Sequence, residues 1–396
     1  MKASPLARLT RLQPPPSVTA KLGPDRGDLS LRRAWPERDG RLTLEYLTAD
    51  GEIVAARKFG SSHSEEAALH SAAQQLMRRY GSGSVGVLPE LGMVLQGGGA
   101  DLRLRSLAWL LENEGEDLVA HRAERRAVIR RSSGHTFVYA KLVRRSRVDM
   151  QVRRARALTG APLRLPGLLA TSREDGLTVW SALSGRPLGE AIGQSPADVG
   201  RRVGETIRAL HDFVPSTDLP IHGPGEEVSV VEDWLQRLAG HSSAPDPSRH
   251  LTELRDRLAS STTVLTPLHR DLHDGQIAVD DSGEVGLLDL DTLSFGEAAL
   301  DLANLLVHLE LGVLLGRWSP SAARTCGDAL LDGYSPSAET MKRIVPYAAA
   351  TRLRLVCVYA FRPGPDPTAG LLESIWSLPP ADSRLQMSEL TGKAGR

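Results

Sequence analysis

The sequence predicts an α+β chain of two lobes, a small antiparallel upper sheet and a helical lower lobe, preceded by an extra N-terminal α/β unit. Three observations carry this. At 396 residues the chain exceeds what one hydrophobic core ordinarily serves, so lobes and a cleft between them are expected. Leu118 to Ala120, Ala127 to Arg131 and Phe137 to Val143 are short strand-like runs separated by charged or glycine-containing turns, as in a small antiparallel sheet. From Ser195 the apolar spacing turns helical over Pro196 to Phe213, Val230 to Leu238, Ser248 to Ser260, Leu300 to Leu315, Ala322 to Tyr334 and Pro346 to Phe361. One strand-rich island, Val264 to Leu290, interrupts those helices.

In chain order, residues 1–26 are expected to be a disordered tail, because Arg8, Arg11 and Pro14 to Pro16 break every apolar stretch there. Residues 27–100 form the N-terminal unit. Its hairpin joins Arg41 to Leu47 with Ile53 to Lys58 through Asp50-Gly51, a strong turn signal. Ser64, followed by Glu65 and Glu66, is expected to cap a helix reaching Tyr80, and Val85 to Leu95 to be a strand ending at Gly97 to Gly99. Residues 101–183 form the upper lobe, with helices at Leu102 to Leu111 and Val148 to Leu158 and a last strand at Val179 to Leu183. Ser184-Gly185-Arg186-Pro187 then breaks the chain as a hinge would. The lower lobe spans 184–380, and 381–396 is expected to be a flexible tail.

Composition narrows the function. Hydrophobic residues make up 41% and charged residues 24%, the values of a soluble globular chain, and no apolar run approaches the ~18 residues that would span a bilayer. The cysteines, Cys326 and Cys357, give neither a disulfide framework nor a thiolate metal cluster. A cytoplasmic protein is expected, without a membrane partner. Basic and acidic residues balance at 48 each, which argues against nucleic acid as a partner. The Arg-rich stretch from Arg122 to Arg156 is read as a solvated face.

The chemistry concentrates in the island. Leu268-His269-Arg270-Asp271-Leu272-His273-Asp274-Gly275-Gln276 precedes a strand pair turned at Asp280 to Gly283, and Leu287-Leu288-Asp289-Leu290-Asp291 follows. Asp289 therefore stands one loop and one hairpin beyond Asp271, so both carboxylates can reach the mouth of one cleft. Phosphoryl transfer needs an acceptor for a hydroxyl proton, oxygen ligands for Mg²⁺ and a cation on the phosphates. Asp271 offers the first, and Gln276, Asp289 and Asp291 the second.

This segment, HRDLHDGQIAVDDSGEVGLLDLDTLSFGEAALDLANLL, resembles the catalytic segment of aminoglycoside phosphotransferases and related choline, sugar and homoserine kinases, which share a two-lobed protein-kinase-like fold. The resemblance runs over Leu118 to Tyr359 and implies an ATP- and Mg²⁺-dependent transfer of phosphate to a small-molecule hydroxyl. It makes Asp271 the catalytic base, His269 the structural histidine of the loop, and Asp289 a metal ligand. Gln276 stands where the family often has asparagine, and Asp291 offers a further carboxylate. Either the loop absorbs the extra methylene of Gln276 or metal affinity falls, since Mg²⁺ accepts little deviation from ~2.0–2.1 Å. Asp301 is expected to cap a helix or brace the catalytic loop, and His273 and Asp274 to shape that loop.

In the upper lobe, Lys141 is the only lysine between Lys58 and Lys342 and sits in a strand, where the family places its phosphate-binding lysine. The glutamate that should hold it is missing near Arg153 to Leu158, so either Asp149 serves or the nucleotide is held differently. Ala182 and Leu183 match the linker that receives the adenine edge. Asp274, Glu297 and Glu310 are the carboxylates available to a cationic sugar. The alternative function is a nucleotide-binding pseudokinase with a regulatory role, suggested by Gln276 and the absent glutamate.

Overall fold

The hairpin signalled by Asp50-Gly51 organises the first unit. Strands β1 (Ser30–Pro36), β2 (Leu42–Leu47) and β3 (Ile53–Lys58) lie side by side, followed by helix α1 (His63–Tyr80) and strands β4 (Val85–Leu88) and β5 (Met93–Gln96). They form one antiparallel sheet of order β1-β2-β3-β5-β4. The computed structural model describes residues 14, 28–112, 116–134, 136–239, 241, 247–259 and 264–379. The tails expected at 1–26 and 381–396 lie outside the described residues, residue 14 excepted.

Three local expectations change here. The cap of α1 is Ser62, whose hydroxyl accepts from the Glu65 amide at 3.4 Å, in place of Ser64. Val85 to Leu95 is two strands, because Pro89 starts a 3₁₀ turn and Gly92 follows it at φ 61°. The helix expected at Leu102 to Leu111 shrinks to α2 (Leu107–Leu111). Asp101 explains this by taking the amides of Arg103 at 2.7 Å and Leu104 at 2.8 Å, a local turn that competes with helix.

The upper lobe contains β6 (Glu116–Arg122), β7 (Arg126–Ser133), β8 (Thr136–Val143), helix α3 (Arg145–Ala157), β9 (Leu168–Ser172) and β10 (Leu177–Ser181). Its sheet order is β6-β7-β8-β10-β9. The edge strands β1 and β9 are not among the expected strands, although Asp39-Gly40 after β1 and Asp175-Gly176 after β9 are turn signals of the same kind as Asp50-Gly51. The linker drops from β10 through Gly185, at φ 124°, where a Cβ would come within 2.8 Å of the Val279 carbonyl oxygen. Only glycine fits that approach.

The lower lobe opens with β11 (Arg186–Pro187), α4 (Leu188–Ala191), α5 (Pro196–Asp212), α6 (Pro224–Ala239) and α7 (Leu251–Ala259). Then come β12 (Leu265–Leu268), β13 (Ile277–Val279), β14 (Val285–Leu287) and β15 (Ser294–Glu297), and helices α8 (Ala299–Leu314), α9 (Pro320–Tyr334), α10 (Ala338–Tyr359) and α11 (Thr368–Glu373). α10 begins well before the expected Pro346, because Ser337 caps it and Pro346 is accommodated inside it. One apolar core runs through this lobe and reaches Leu44, Tyr46 and Met93 of the first sheet, while α1 packs with Phe59, Val85 and Val94 in a separate cluster. The sheet of the extra unit thus shares its core with the lower lobe. Among the described residues no helix is long and apolar enough to cross a membrane.

Candidate active site

The floor of the cleft is set by one buried carboxylate. Asp301, near the start of α8, accepts from the His269 amide through Oδ2 and the Arg270 amide through Oδ1, both at 2.7 Å. His211 of α5 reaches the same carboxylate at 3.2 Å and the Tyr334 hydroxyl at 2.9 Å. Burial pushes Asp301 up, but the hydrogen bond from His211 and the nearby histidines and amides outweigh it and hold the carboxyl below its usual range. The helix is not capped by this side chain, so of the two expectations for Asp301 the loop brace is what the geometry shows. Asn304, one turn on, donates to the Arg270 carbonyl at 2.9 Å. These bonds hold Arg270 at φ 70°, a strained conformation that persists only where surroundings enforce it.

His269 Nε2 donates to the Leu288 carbonyl at 2.7 Å, and the Gln276 carbonyl accepts from the Leu288 amide at 2.8 Å. The loop is thereby fastened to the strand end that carries Asp289. Asp271 projects half-exposed, with Arg354 at 4.0 Å and that arginine held by Asn304 Oδ1 at 2.7 Å. His273 shapes the loop as expected, accepting from the Gly275 amide at 3.0 Å, and burial lowers its pKa.

Opposite lies a cavity of about 300 Å³ whose wall includes Arg126, Lys141, Leu183, Gln276, Asp289 and Asp291. Asp289 adopts φ 55° and turns its carboxylate into this space. Lys141 Nζ stands 2.8 Å from Asp289 and 3.5 Å from Asp291, and Arg126 lies 3.1 and 3.9 Å from the same two. Burial works against both charges. Lys141 and Arg126 nevertheless hold the Asp289 carboxyl far below its usual range. Burial, with the adjacent Asp289 charge, leaves Asp291 raised. Asp289, Asp291 and Gln276 line this one cavity, and two carboxylates with an amide oxygen are the hard-oxygen donor chemistry that fits Mg²⁺.

The helix residue facing this centre is one the sequence reading passed over. Gln151 of α3 donates to Asp291 at 3.0 Å and accepts from the Thr178 hydroxyl at 3.2 Å. Asp149 is exposed and pairs with Arg173 at 3.0 Å, so it does not hold Lys141. The Arg122 to Arg156 stretch is also more than a solvated face, since Arg126 enters the cleft and Arg154 donates to the Leu293 carbonyl at 2.9 Å. No motif marks either residue. Their strand and helix positions, set against the lone strand lysine, were the available signal.

The linker residues divide. Leu183 lines the cavity, whereas the Ala182 amide is engaged by the Phe137 carbonyl at 3.1 Å and its side chain is outside the wall. The three carboxylates suggested for a cationic sugar are already matched. Asp274 meets Arg317 at 2.7 Å, Glu297 meets Arg343 at 2.7 Å, and Glu310 meets Arg352 at 2.6 Å.

A family model described as a phosphotransferase enzyme family matches residues 117–344. Among solved structures, the aminoglycoside phosphotransferase APH(3'')-Id from Streptomyces rimosus is similar at 24% identity and TM-score 0.48, over 61% of this chain and 93% of that one. A choline/ethanolamine kinase family protein from Mesorhizobium loti is similar at 19% identity and TM-score 0.45, over 63% and 80%. The macrolide 2'-phosphotransferase MphH from Brachybacterium faecium is similar at 17% identity and TM-score 0.43, over 67% and 94%. No curated protein matches by sequence.

Proposed function

The chain belongs to the phosphotransferase enzyme family, and on that premise we propose that it moves the γ-phosphate of ATP to a hydroxyl of a small molecule in the cytoplasm. The observation that carries this is the convergence of Lys141, Asp289, Asp291 and Gln276 on one cavity, tied through His269 and Leu288 to the loop that presents Asp271.

In this reading Asp271 accepts the proton of the acceptor hydroxyl as the oxygen attacks phosphorus, and the bond to the ADP leaving group breaks. His269 positions the loop. Lys141 binds phosphate oxygens, and Leu183 lines the adenine end of the cavity. Asp289, Asp291 and Gln276 would hold Mg²⁺, which when bound supplies positive charge to the polyphosphate. Glu297 and Glu310, each matched by a buried arginine, favour a neutral hydroxyl compound over a polycationic sugar as acceptor, because a buried ion pair is costly to break.

The test is ADP release from MgATP across a panel of neutral sugars, amino alcohols and aminoglycosides. Acceptor-dependent release supports the transferase. Gln276, an amide where asparagine was expected, and the absence of a helix glutamate near Arg153 to Leu158 motivate the second reading, a nucleotide-binding protein without transfer. Tight MgATP binding with no release on any acceptor would favour it.

A further inference from the structure

Arg126 has no task in the reading above. It opens β7, sits in sheet register opposite Arg122 and Val143, and lines the same cavity as Lys141. Its guanidinium reaches Asp289 Oδ2 at 3.1 Å. Its side chain, 43% exposed, also stands 3.9 Å from Asp291.

The turn that delivers it is held from within the lobe by Asp101, Arg103 and Arg144 and from outside it by Arg57. Glu124, at φ 59°, donates its amide to Asp101 at 2.7 Å, and its carbonyl accepts from Arg144 at 3.1 Å. Its carboxylate meets Arg103 at 3.2 Å and Arg57 of β3 at 2.5 Å. The same N-terminal sheet is tied to the lower lobe, where the Pro36 carbonyl accepts from Arg237 of α6 at 3.0 Å and the Ala34 amide donates to the Phe361 carbonyl at 3.3 Å. The N-terminal unit thus touches the β6–β7 turn through Arg57 and the lower lobe through Pro36 and Ala34.

In the cleft, the carboxylates Asp289 and Asp291 are matched by the cations Lys141 and Arg126. Divalent charge arriving at those carboxylates does the balancing that the two side chains now do, and leaves both cations facing the cavity. A guanidinium presents a planar fork of donors suited to phosphate oxygens. We infer that Arg126 is a second phosphate-binding residue of the nucleotide site, acting beside Lys141 on the polyphosphate. This rests on the nucleotide reading of the cavity.

Calorimetric titration of the full chain with MgATP and with adenosine, for wild type, Arg126→Ala and Arg126→Lys, tests it. The expected result is MgATP affinity reduced about tenfold or more in Arg126→Ala, in line with the loss of a charged hydrogen bond. Arg126→Lys should fall between, and adenosine affinity should stay within about twofold. Thermal melts of the three proteins identify a folding defect, and Arg126→Lys then carries the comparison alone. Equal MgATP affinity in wild type and variants overturns the proposal, as does a parallel loss for adenosine, which marks a structural role. Unchanged MgATP affinity with a lower Mg²⁺ requirement also overturns it, since Arg126 would then only stand in for the metal. If wild type binds no nucleotide, the functional reading itself fails, an outcome distinct from these.

Discussion

The floor and the roof of the cleft are built by different means. On the floor, one buried carboxylate, Asp301, fixes two consecutive loop amides, and His269 staples that loop to the next strand end. On the roof, Lys141, Arg126 and Gln151 come from two strands and a helix, and they meet only at Asp289 and Asp291. The floor is a local hydrogen-bonded unit that can hold its shape with an empty site. The roof is an electrostatic arrangement whose partners change when charge enters the cavity. Substitutions on the floor should therefore damage folding or chemistry, and substitutions on the roof should shift ligand affinity.

The largest effect is expected at Asp301. Asp301→Ala removes the acceptor for two buried amides and leaves His211 without its carboxylate, at a cost of about 3–5 kcal/mol, as when one partner of a buried pair is removed. Denaturant unfolding measures it. The folded pKa of Asp301 is depressed, so its contribution is fully present above the ordinary carboxylate pKa near about 4 and is lost as pH falls below that. Wild type should lose its advantage over the variant on acidification into that range. A variant as stable as wild type at neutral pH would break the contrast between floor and roof.

Asp271 sits on the same floor but faces outward, and it should separate chemistry from stability. Asp271→Asn is expected to lower turnover by ~10²-fold or more, with unfolding and MgATP affinity nearly unchanged. Wild-type turnover in this variant would remove Asp271 from the role of base. Gln276 should show a smaller change. Its carbonyl is fixed by Leu288, so Gln276→Asn draws the amide oxygen back by about one bond, beyond what Mg²⁺ distances accept. The Mg²⁺ requirement for ATP binding should rise. A lower requirement would instead mark Gln276 as a weakened ligand.

The floor was legible because it is contiguous. His269, Asp271 and Gln276 lie in one loop, with Asp289, Asp291 and Asp301 following at spacings that a hairpin and a helix start explain. The strand and helix content followed from alternation and from helical spacing, and it failed where a local competitor intervened. Asp101 shortened α2 by binding nearby amides, and Pro89 with Gly92 divided one strand into two. The roof was only half legible. Lys141 stood out through the scarcity of lysine, but Arg126 is one of many arginines, and Gln151 is a neutral residue where a charge was sought. Which of several polar side chains on α3 turns inward depends on how that helix packs under β10, and no spacing in the sequence specifies the angle.

That ambiguity sets the smallest prediction. Asp149 and Gln151 are two residues apart on α3, so they point to different faces. Asp149 is exposed with a single surface partner, Arg173, and such a pair contributes little, so Asp149→Ala should change stability by less than about 0.5 kcal/mol and leave MgATP affinity unaltered. Gln151 links the Thr178 hydroxyl to Asp291 inside the fold. Gln151→Ala leaves that hydroxyl without its acceptor and Asp291 with one donor fewer, for a cost of about 1–3 kcal/mol. Because Asp291 then relies more on Lys141 and Arg126, MgATP affinity should fall modestly, by about two- to tenfold if one neutral bond's worth of positioning is lost. Paired melts and titrations of the two variants decide between the faces. If Asp149→Ala weakens MgATP while Gln151→Ala does not, the outward carboxylate is the functional partner, and the roof closes in solution with α3 turned relative to the arrangement described above.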